Sequence, residues 1–303
     1  MPGVPAPVTL LVNPASGGGR ALKALPAVQE ALRTSGLAVT VQHTESLEHA
    51  RGLATAAATD GNTVVTLSGD GLVGVVAGAL ADVPGAVLGV LPGGRGNDFA
   101  RMAGIPLDAV AACAVIATGV PTPVDLGEVD GKPYVGIASL GFDSDVNRIA
   151  NDAPSFLGGQ AYTYGALRAL VTWKHATFTV GIDGAQRTFR GWSVAAANSK
   201  AYGGGMLLAP AADLTDGLLD IVTNDECSRL RFLTILPKVF KGTHVDAPMV
   251  QVQQGREITI SADRPFTVYA DGDPIGELPV TIRCRPGAVT VLLPATPGGP
   301  SAA

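Results

Sequence analysis

Short apolar runs alternate with amphipathic stretches over the first 120 residues of the chain. Four runs have the length and the branched-residue content of buried β-strands: 8–12, 37–42, 63–67 and 87–91. Four stretches have the spacing of helices: 20–35, 47–59, 72–81 and 107–118. Regular alternation of strand and helix is typical of a parallel sheet covered by helices. The pattern therefore predicts an α/β domain.

The pattern changes after Pro121-Thr122-Pro123, so we place a domain boundary near residue 122. Short β-type runs now follow one another, and Asp130-Gly131 and Asp183-Gly184 are hairpin signals between two pairs of them. Only two stretches, 161–173 and 228–241, have helical spacing. The rest of the chain is therefore predicted to be a mainly antiparallel β domain, followed by a frayed tail at 298–303.

Glycine-rich polar turns follow three of the first four strands. They are Asn13 to Gly19, Ser68 to Gly71 and Pro92 to Asp98. The carboxyl ends of parallel strands meet at one edge of a sheet, so we expect the three turns to lie together. Glycines let backbone N–H groups approach a phosphate closely. No G-x-x-x-x-G-K-[ST] motif is present, so the turns do not form a P-loop.

Asp70 stands between two glycines at the tip of the second turn. A carboxylate there would repel a bare phosphate, so it fits a site in which it holds a divalent cation or accepts a proton from an attacking hydroxyl. Phosphoryl transfer needs both a bound cation and a proton acceptor. Two other interpretations stay open: a solvated turn residue, and a dinucleotide-binding G-x-G-x-x-G over 69–74. The second expects an acid about 20 residues later, where this chain has Leu91-Pro92-Gly93-Gly94.

Composition narrows the class further. With 47% hydrophobic and 16% charged residues, the chain can bury a large core, and its net charge of −5 argues against nucleic-acid binding. Its three cysteines have no C-x-x-C spacing, which is typical of reduced thiols. The first apolar run lacks a basic leader and breaks at Asn13-Pro14, so we expect a first strand and not a signal peptide. We expect a cytoplasmic protein.

The ordered set of motifs resembles the diacylglycerol kinase catalytic-domain family, which includes bacterial lipid kinases and sphingosine kinases. The motifs are Asn13-Pro14-x-Ser16-Gly17, Gly69-Asp70-Gly71, Pro92-x-Gly94-x-Gly96-Asn97-Asp98-Phe99-Ala100-Arg101, Gly141-Phe142-Asp143, Ala211 to Asp220, and Asp271-Gly272-Asp273. They cover nearly the whole chain. The resemblance implies a Rossmann-like nucleotide-binding domain at 1–122, a β-sandwich lipid-substrate domain at 123–297, and a cleft between them.

The resemblance also implies roles for individual residues. Nucleotide-binding residues would be Asn13, Pro14, Ser16, Gly17, Thr44, Ser68, Gly69, Asp70, Gly71, Gly94, Arg95, Asn97 and Asp98. Asp213, Asp216 and the carbonyl of Leu218 would hold a structural Mg²⁺. Asp271 or Asp273 would be the general base, with Asp70 beside the Mg²⁺ of ATP. The implied reaction is transfer of the γ-phosphate of ATP to a lipid hydroxyl, with diacylglycerol as the first choice.

Three positions depart from the family pattern. Leu72 and Arg95 stand where the family usually has threonine, and a guanidinium at 95 could replace a hydroxyl by pairing two phosphate oxygens. Asp273 replaces the usual glutamate and is shorter by a methylene, which favours Asp271 as the base. Because these two threonines are absent, it also stays open that the chain is a non-catalytic relative that binds a lipid or a nucleotide. An NAD kinase-like enzyme is the other alternative.

One segment has a pattern that is relevant to membrane binding. Between Ser228 and His244, apolar residues recur at helical spacing among the cations Arg229, Arg231, Lys238 and Lys241. An interfacial helix has this pattern, and so has an ordinary packed helix with cations near its C-terminus. Peripheral contact with the inner membrane face and the oligomeric state are left open.

Overall fold

The structure of the protein is a computed structural model that describes residues 6–152 and 161–295. The chain divides into two compact units. The N-terminal unit runs to Leu126 and includes the chain again from Gly287, and the C-terminal unit is Gly127–Pro286. The sequence assigned residues 287–297 to the second domain, whereas the described part of this segment belongs to the first unit. The predicted tail at 298–303 lies outside the described residues.

The N-terminal unit is a parallel sheet with helices. Its strands are β1 (Val8–Val12), β2 (Val39–His43), β3 (Thr63–Ser68) and β4 (Val87–Pro92). Its helices are α1 (Arg20–Thr34), α2 (Leu47–Thr59), α3 (Asp70–Leu80), α4 (Asp98–Met102) and α5 (Ala109–Thr118). The strands pair in parallel in the order β2-β1-β3-β4. The predicted α/β domain is confirmed.

Side-chain caps explain where two of these helices begin. The Ser46 hydroxyl accepts a hydrogen bond from the His49 N–H at the start of α2, and the Asp108 carboxylate does the same for the Ala111 N–H at the start of α5. Each cap satisfies one of the N–H groups that a helix leaves without a partner in its first turn. The central strands β1 and β3 are buried nearly throughout, because helices cover both faces of the sheet.

The C-terminal unit is mainly antiparallel. Its strands are β5 (Val120–Val129), β6 (Lys132–Tyr134), β7 (Ile137–Gly141), β8 (Ala176–Ile182), β9 (Ala185–Ala197), β10 (Leu219–Asp225), β11 (Val250–Gly255), β12 (Glu257–Ala262), β13 (Thr267–Ala270), β14 (Asp273–Glu277) and β15 (Val280–Leu293). Its helices are α6 (Phe142–Asn151), α7 (Ala161–Thr172) and α8 (Arg229–Val239). Strands β5 and β15 each begin in one unit and end in the other. The predicted antiparallel domain is confirmed.

Strand pairing follows the long strand β9. Its first half pairs with β8, and its second half lies between β7 and β10. Strand β8 continues to β12 and then to the first residues of β15, and β7 continues to β13 and β14. The last residues of β15 pair in parallel with β4 of the N-terminal sheet.

Both hairpins predicted from Asp-Gly pairs form. Asp130 and Gly131 have φ values of 46° and 85°, and Asp183 and Gly184 have 47° and 89°. Two successive positive φ angles define the tight turn that matches the twist of antiparallel strands, and aspartate with glycine adopts it at low cost.

An aromatic cluster forms the core of the C-terminal unit. The Trp192 ring stacks on Phe232 with 3.9 Å between centroids and on Trp173 with 6.1 Å, and Phe142 meets it edge to face. Helices α7 and α8 are held against the sheet by this cluster, since Trp173 directly follows α7 and Phe232 lies on α8.

Among the described residues, no helix combines the length and the apolarity needed to cross a bilayer.

Candidate active site

The three glycine turns of the N-terminal unit lie together, as the sequence predicts. A Cβ on Gly17 of the first turn would lie 2.5 Å from the carbonyl oxygen of Gly93 in the third. A Cβ on Gly69 of the second turn would lie 3.2 Å from the Cα of Gly94 and 3.5 Å from the Ser16 hydroxyl oxygen. These backbones approach so closely that only glycine fits at the contacts. The turns therefore form one continuous surface of main-chain groups.

The first turn follows β1 and is left-handed over three residues. Gly17, Gly18 and Gly19 have φ values of 62°, 70° and 88°, a run that side chains with a Cβ do not adopt easily. The Asn13 side chain fixes its start by accepting a hydrogen bond from the Ala15 N–H at 3.0 Å. The chain then enters α1 at Arg20, so the turn places a helix N-terminus at this edge.

The third turn is closed by Asn97. Its side-chain oxygen accepts a hydrogen bond from the Gly94 N–H at 2.8 Å, and its side-chain nitrogen donates to the Gly94 carbonyl at 3.2 Å. Asn97 itself has φ 50°, which asparagine tolerates better than most residues. It occupies the position before α4 but does not cap that helix with its side chain.

Asp70 supplies the cap that α4 lacks. Its carboxylate accepts a hydrogen bond from the Phe99 N–H at 3.0 Å, so the acid of the second turn binds the helix that follows the third. Asp70 is also the first residue of α3, where a negative charge is favoured by the helix dipole. The residue is half-buried and is not the solvated turn residue that the alternative interpretation supposed.

A second carboxylate faces Asp70. The point that a Cβ of Gly96 would occupy lies 3.3 Å from an oxygen of Asp70 and 3.1 Å from an oxygen of Asp98. Asp98 is 8% exposed, and the Arg101 guanidinium lies 4.0 Å from its other oxygen. Two acid oxygens thus converge on the space above Gly96, and only a residue without a side chain leaves that space open.

The other predicted nucleotide residues lie around this surface or beside it. Thr44 is buried directly after β2 and bonds to the carbonyl of Val12 through its backbone N–H at 2.9 Å. Ser68 is buried at the end of β3, and its carbonyl accepts a hydrogen bond from the Gly93 N–H at 2.7 Å. Arg95 is exposed, whereas Leu72 is 4% exposed and belongs to the core. The roles of all these residues in binding stay predictions.

In the C-terminal unit, the Asp271 carboxylate is held by main-chain donors. It accepts hydrogen bonds from the N–H groups of Val135 at 3.0 Å, Gly136 at 3.0 Å and Ile137 at 3.3 Å. Three N–H donors therefore hold this carboxylate in one position. The contacts also tie the β13–β14 turn to the segment that leads into β7.

Two other aspartates of this unit use the same device. Asp271 and Gly272 have φ values of 52° and 95°, the turn also formed by Asp130-Gly131 and Asp183-Gly184. Asp130 accepts a hydrogen bond from the Thr281 N–H at 3.0 Å, and Asp183 accepts one from the Glu257 N–H at 2.9 Å. Each Asp-Gly hairpin is therefore anchored to a neighbouring strand by its aspartate. The structural role of these hydrogen bonds is enough to explain why residue 271 is an aspartate, whether or not it takes part in catalysis.

Asp273, the alternative base, has a different environment. It is exposed, yet the protein packed around its carboxyl raises its pKa above the usual value. A general base needs an accessible carboxyl, and a raised pKa makes that carboxyl a better proton acceptor. The choice between Asp271 and Asp273 stays a prediction. In the sequence, the short side chain of Asp273 favoured Asp271 as the base, but the hydrogen bonds of Asp271 give that residue a structural role that does not require catalysis.

The predicted metal segment is arranged around Gln254. Asp213 accepts a hydrogen bond from the Thr215 N–H at 2.9 Å, and Asp216 accepts one from the Leu218 N–H at 2.9 Å. The Gln254 amide nitrogen lies 3.3 Å from an oxygen of Asp216 and 3.3 Å from one of Asp220. Burial raises the pKa of Asp220, and the nearby Asp216 charge adds to the effect.

Three acids within eight residues repel one another, and the Gln254 amide is a donor for two of them. The amide is neutral, so it contacts two of the carboxylates without balancing their charge. In the part of the chain that the structure describes, no three His, Cys, Asp or Glu side chains are grouped closely enough to hold a metal. Asp213, Asp216 and the Leu218 carbonyl stay a prediction as a Mg²⁺ site.

Sequence reasoning missed the partners of these acids. Neither the Phe99 N–H that binds Asp70 nor the Gln254 amide between two acids has a sequence signal, because both partners are distant along the chain. It also gave no role to Asp143, whose burial raises its pKa to about 7 despite a hydrogen bond with Ser193. The only signal at Asp143 was its place in a family motif.

Comparison with known proteins defines the class. Residues 7–129 match the diacylglycerol kinase catalytic domain, and residues 136–293 match a domain described as a YegS C-terminal NAD kinase beta sandwich-like domain. The chain is 36% identical to a diacylglycerol kinase of Mycobacterium tuberculosis, over 95% of each chain. It is 32% identical to a Pseudomonas aeruginosa protein named "Probable lipid kinase YegS-like", over 95% of this chain and 94% of the other.

A solved structure agrees on the fold. A diacylglycerol kinase of Bacillus anthracis superposes with a TM-score of 0.73 over 95% of this chain and 96% of its own, at 20% identity. With the matches above, this chain belongs to the family of diacylglycerol kinases and YegS-like lipid kinases, and it is an enzyme of that class. The resemblance stated from the motifs is confirmed. The dinucleotide-binding interpretation of residues 69–74 is not supported.

Proposed function

We propose that this protein transfers the γ-phosphoryl group of ATP to a lipid hydroxyl, with diacylglycerol as the acceptor and phosphatidic acid as the product. The observation that carries the proposal is the meeting of three main-chain turns around two carboxylates, Asp70 and Asp98. The turns offer N–H groups to an anion, and the acids give the cation that accompanies a nucleotide triphosphate a place beside it. Family membership supports the lipid as acceptor.

The phosphates of ATP would bind the glycine surface. Gly17, Gly69 and Gly94 keep it free of side chains, so that oxygens reach the backbone N–H groups directly. Arg95 is exposed beside this surface and can pair two phosphate oxygens. If it replaces the usual threonine, Arg95→Ala raises the KM for ATP more than the KM for lipid. Equal effects on the two would remove this role.

The residues present fit Mg²⁺. Two carboxylate oxygens converge on the open space above Gly96, and carboxylate oxygens are the ligands this cation prefers. When bound there, Mg²⁺ would neutralise charge on the β- and γ-phosphates. The work of the chain is to hold the acids in place: Phe99 fixes Asp70 through its N–H, and Asn97 fixes the turn that carries Asp98.

A carboxylate of the C-terminal unit would accept the proton of the attacking lipid hydroxyl. Asp271 and Asp273 are the candidates. Asp271 is held in place by three N–H donors, whereas Asp273 has a raised pKa and an accessible carboxyl. The two assignments differ in the pH profile they predict: with Asp273 as base, activity rises with pH through a value above the ordinary aspartate range.

The second Mg²⁺ site would be structural. Asp213, Asp216 and the Leu218 carbonyl supply oxygen atoms, and Asp216 already accepts from the Leu218 N–H. The test is thermal unfolding with and without Mg²⁺. The proposal expects Mg²⁺ to raise the melting temperature of the wild type and to leave that of a D213N/D216N variant unchanged. An equal rise in both would locate the effect elsewhere.

The reaction itself is tested with γ-labelled ATP. The protein is incubated with diacylglycerol, a sphingoid base, phosphatidylglycerol or NAD, and the products are separated by thin-layer chromatography. The proposal predicts label in phosphatidic acid, loss of it in Asp70→Asn, and no loss in Asp60→Asn, an exposed acid at the end of α2. Label in NADP would favour the NAD kinase-like alternative. Absence of label with every acceptor would favour a non-catalytic relative.

A further inference from the structure

The four most exposed large hydrophobic residues of the described chain lie on two neighbouring helices. Leu230 is 78% exposed and Phe240 60%, on and just after α8, while Val171 is 71% exposed and Leu167 58%, on α7. Leu167 and Val171 are four residues apart and so share a face of α7, and exposed apolar side chains on one face are typical of an interaction site. We call these four residues the apolar patch.

The two helices are neighbours because they pack on the same rings. Trp173, which follows α7, and Phe232 of α8 both contact Trp192, and the Arg229 guanidinium donates to the Trp173 carbonyl at 3.0 Å. Each helix therefore has an inner side fixed to the core. The patch residues take no part in this packing. Their apolar surface stays exposed to water, which is unfavourable for the isolated protein.

The two stretches of chain that carry the patch are rich in cations. The stretch 228–242 contains four cations and no acidic residue. The stretch 161–175 contains two cations and likewise no acidic residue. These six cations are Arg168, Lys174, Arg229, Arg231, Lys238 and Lys241. The whole chain has a net charge of −5, so the positive charge of this surface is a local feature.

The acids that precede α8 do not cancel this charge. Asp225 forms an ion pair with Arg187, and Glu226 forms one with Arg190 at 3.3 Å. Both acids are therefore balanced by cations of β9, outside the six. Helix α8 has the composition of an interfacial helix: apolar residues on an exposed face, cations beside them, and an inner face that holds it to the domain.

We infer that the α7–α8 surface is the membrane-docking face of the protein, which inserts the apolar patch among the lipids of an anionic bilayer while its cations bind their headgroups. The inference extends the proposed function by naming the surface through which the enzyme would approach its lipid. Charge complementarity selects this partner: exposed apolar side chains on helices rich in cations match an anionic headgroup layer above hydrocarbon. The packed helix and the interfacial helix of the sequence analysis describe the two sides of one element.

The test is sedimentation of the full chain with vesicles, in the absence of nucleotide. The wild type is expected to sediment with mixed phosphatidylcholine and phosphatidylglycerol vesicles, less so at high salt, and not with phosphatidylcholine alone. The variant L167S/V171S/L230S/F240S removes the patch, and R231Q/K238Q/K241Q removes three cations. The second variant is expected to bind on the order of 100-fold more weakly.

Matched controls change the same residue types in the N-terminal unit. The variant L22S/L47S/L107S/V110S removes four exposed apolar residues, and K23Q/R33Q/R51Q removes three cations of α1 and α2. Both are expected to bind as the wild type does. Circular dichroism of each variant confirms that the fold is kept, since all substituted side chains are at least partly exposed.

Three outcomes would overturn the inference. The wild type could fail to bind anionic vesicles, the controls could lose binding as much as the patch variants, or light scattering could show a dimer that the patch variant dissociates. The readout is independent of catalysis. A protein that binds vesicles through this face but labels no lipid would contradict only the proposed function, and one that labels a soluble short-chain lipid but binds no vesicles would contradict only this inference.

Discussion

The backbone N–H of Phe99 donates a hydrogen bond to the Asp70 carboxylate across 3.0 Å, which joins the second glycine turn to the helix that follows the third. The contact gives Asp70 a structural task besides the chemical one proposed for it. Two substitutions separate these tasks, because asparagine keeps an acceptor oxygen and alanine does not.

Asp70→Asn is expected to fold with nearly wild-type stability and to lose activity by about 100-fold or more. Asp70→Ala is expected to lose activity and, in addition, about 1 kcal/mol of unfolding free energy, the usual worth of a helix cap. Urea unfolding and the labelled-ATP assay measure the two effects. Near-normal turnover in a folded Asp70→Asn protein would remove Asp70 from the chemistry.

The close approach of Gly69 and Gly94 predicts a substitution that damages the nucleotide surface. A Cβ on Gly94 would collide with the Cα of Gly69, so Gly94→Ala is expected to cost about 1–3 kcal/mol of stability and to weaken ATP binding. Gly52 is the control, because its Cβ would meet nothing within 4 Å on helix α2. Gly52→Ala is expected to stabilise the protein by roughly 0.5–1 kcal/mol. Similar behaviour of the two variants would contradict the packing described here.

Asp271 and Asp183 anchor hairpins in the same way, and this makes a second matched pair. Replacing either carboxylate by an amide turns an NH₂ group toward a backbone N–H, so Asp271→Asn and Asp183→Asn are both expected to lose about 1–3 kcal/mol of stability. Only a base at Asp271 would make the first variant inactive while it is still folded.

Asp273→Asn completes that comparison. If Asp273 is the base, this variant keeps its stability and loses turnover, and the rise of wild-type activity with pH disappears. The measurement is the pH profile of each folded variant. Retained turnover in Asp271→Asn would assign the base to Asp273, and retained turnover in Asp273→Asn would assign it to Asp271.

The fold and the position of the nucleotide surface could be predicted from the sequence because they depend on local signals. Apolar runs of five or six residues fixed the strands, and the glycines after them fixed the turns. Hairpins at residues 130 and 183 followed from the φ preferences of aspartate and glycine. These signals act within a few residues along the chain.

Long-range partners could not be predicted in this way. The bond from Phe99 to Asp70, the three donors to Asp271 and the Gln254 amide between Asp216 and Asp220 each join residues far apart along the chain. The family motif suggested a cation for the acidic segment and gave no sign of the amide side chain from β11 that contacts two of its acids. The return of residues 287–295 to the first unit depends on strand pairing with β4 and has no local signal.

Asp143 predicts a pH dependence of stability. Burial raises its pKa to about 7 in the folded protein, from an ordinary value of 3.8. Between these values the folded state binds more protons than the unfolded state, so this group lowers the stability as the pH rises from about 4 to 7. Asp143→Asn is therefore expected to be more stable than the wild type at pH 8, with a smaller difference at pH 5.

Urea unfolding of both proteins at the two pH values measures this difference. Asp145→Asn is the control on the same helix, since its carboxylate forms a surface ion pair with Arg148 at 3.3 Å and contributes little. A stability gain of Asp143→Asn that grows on acidification would contradict the direction of the pKa shift.

The most direct test of the account is calorimetric titration of ATP with Mg²⁺ into the wild type, Gly94→Ala and Gly52→Ala. The account predicts saturable binding to the wild type and to Gly52→Ala, and much weaker binding to Gly94→Ala, because the nucleotide occupies the surface where the three turns meet. Absence of binding heat in the wild type, or equal affinity in all three proteins, would contradict it.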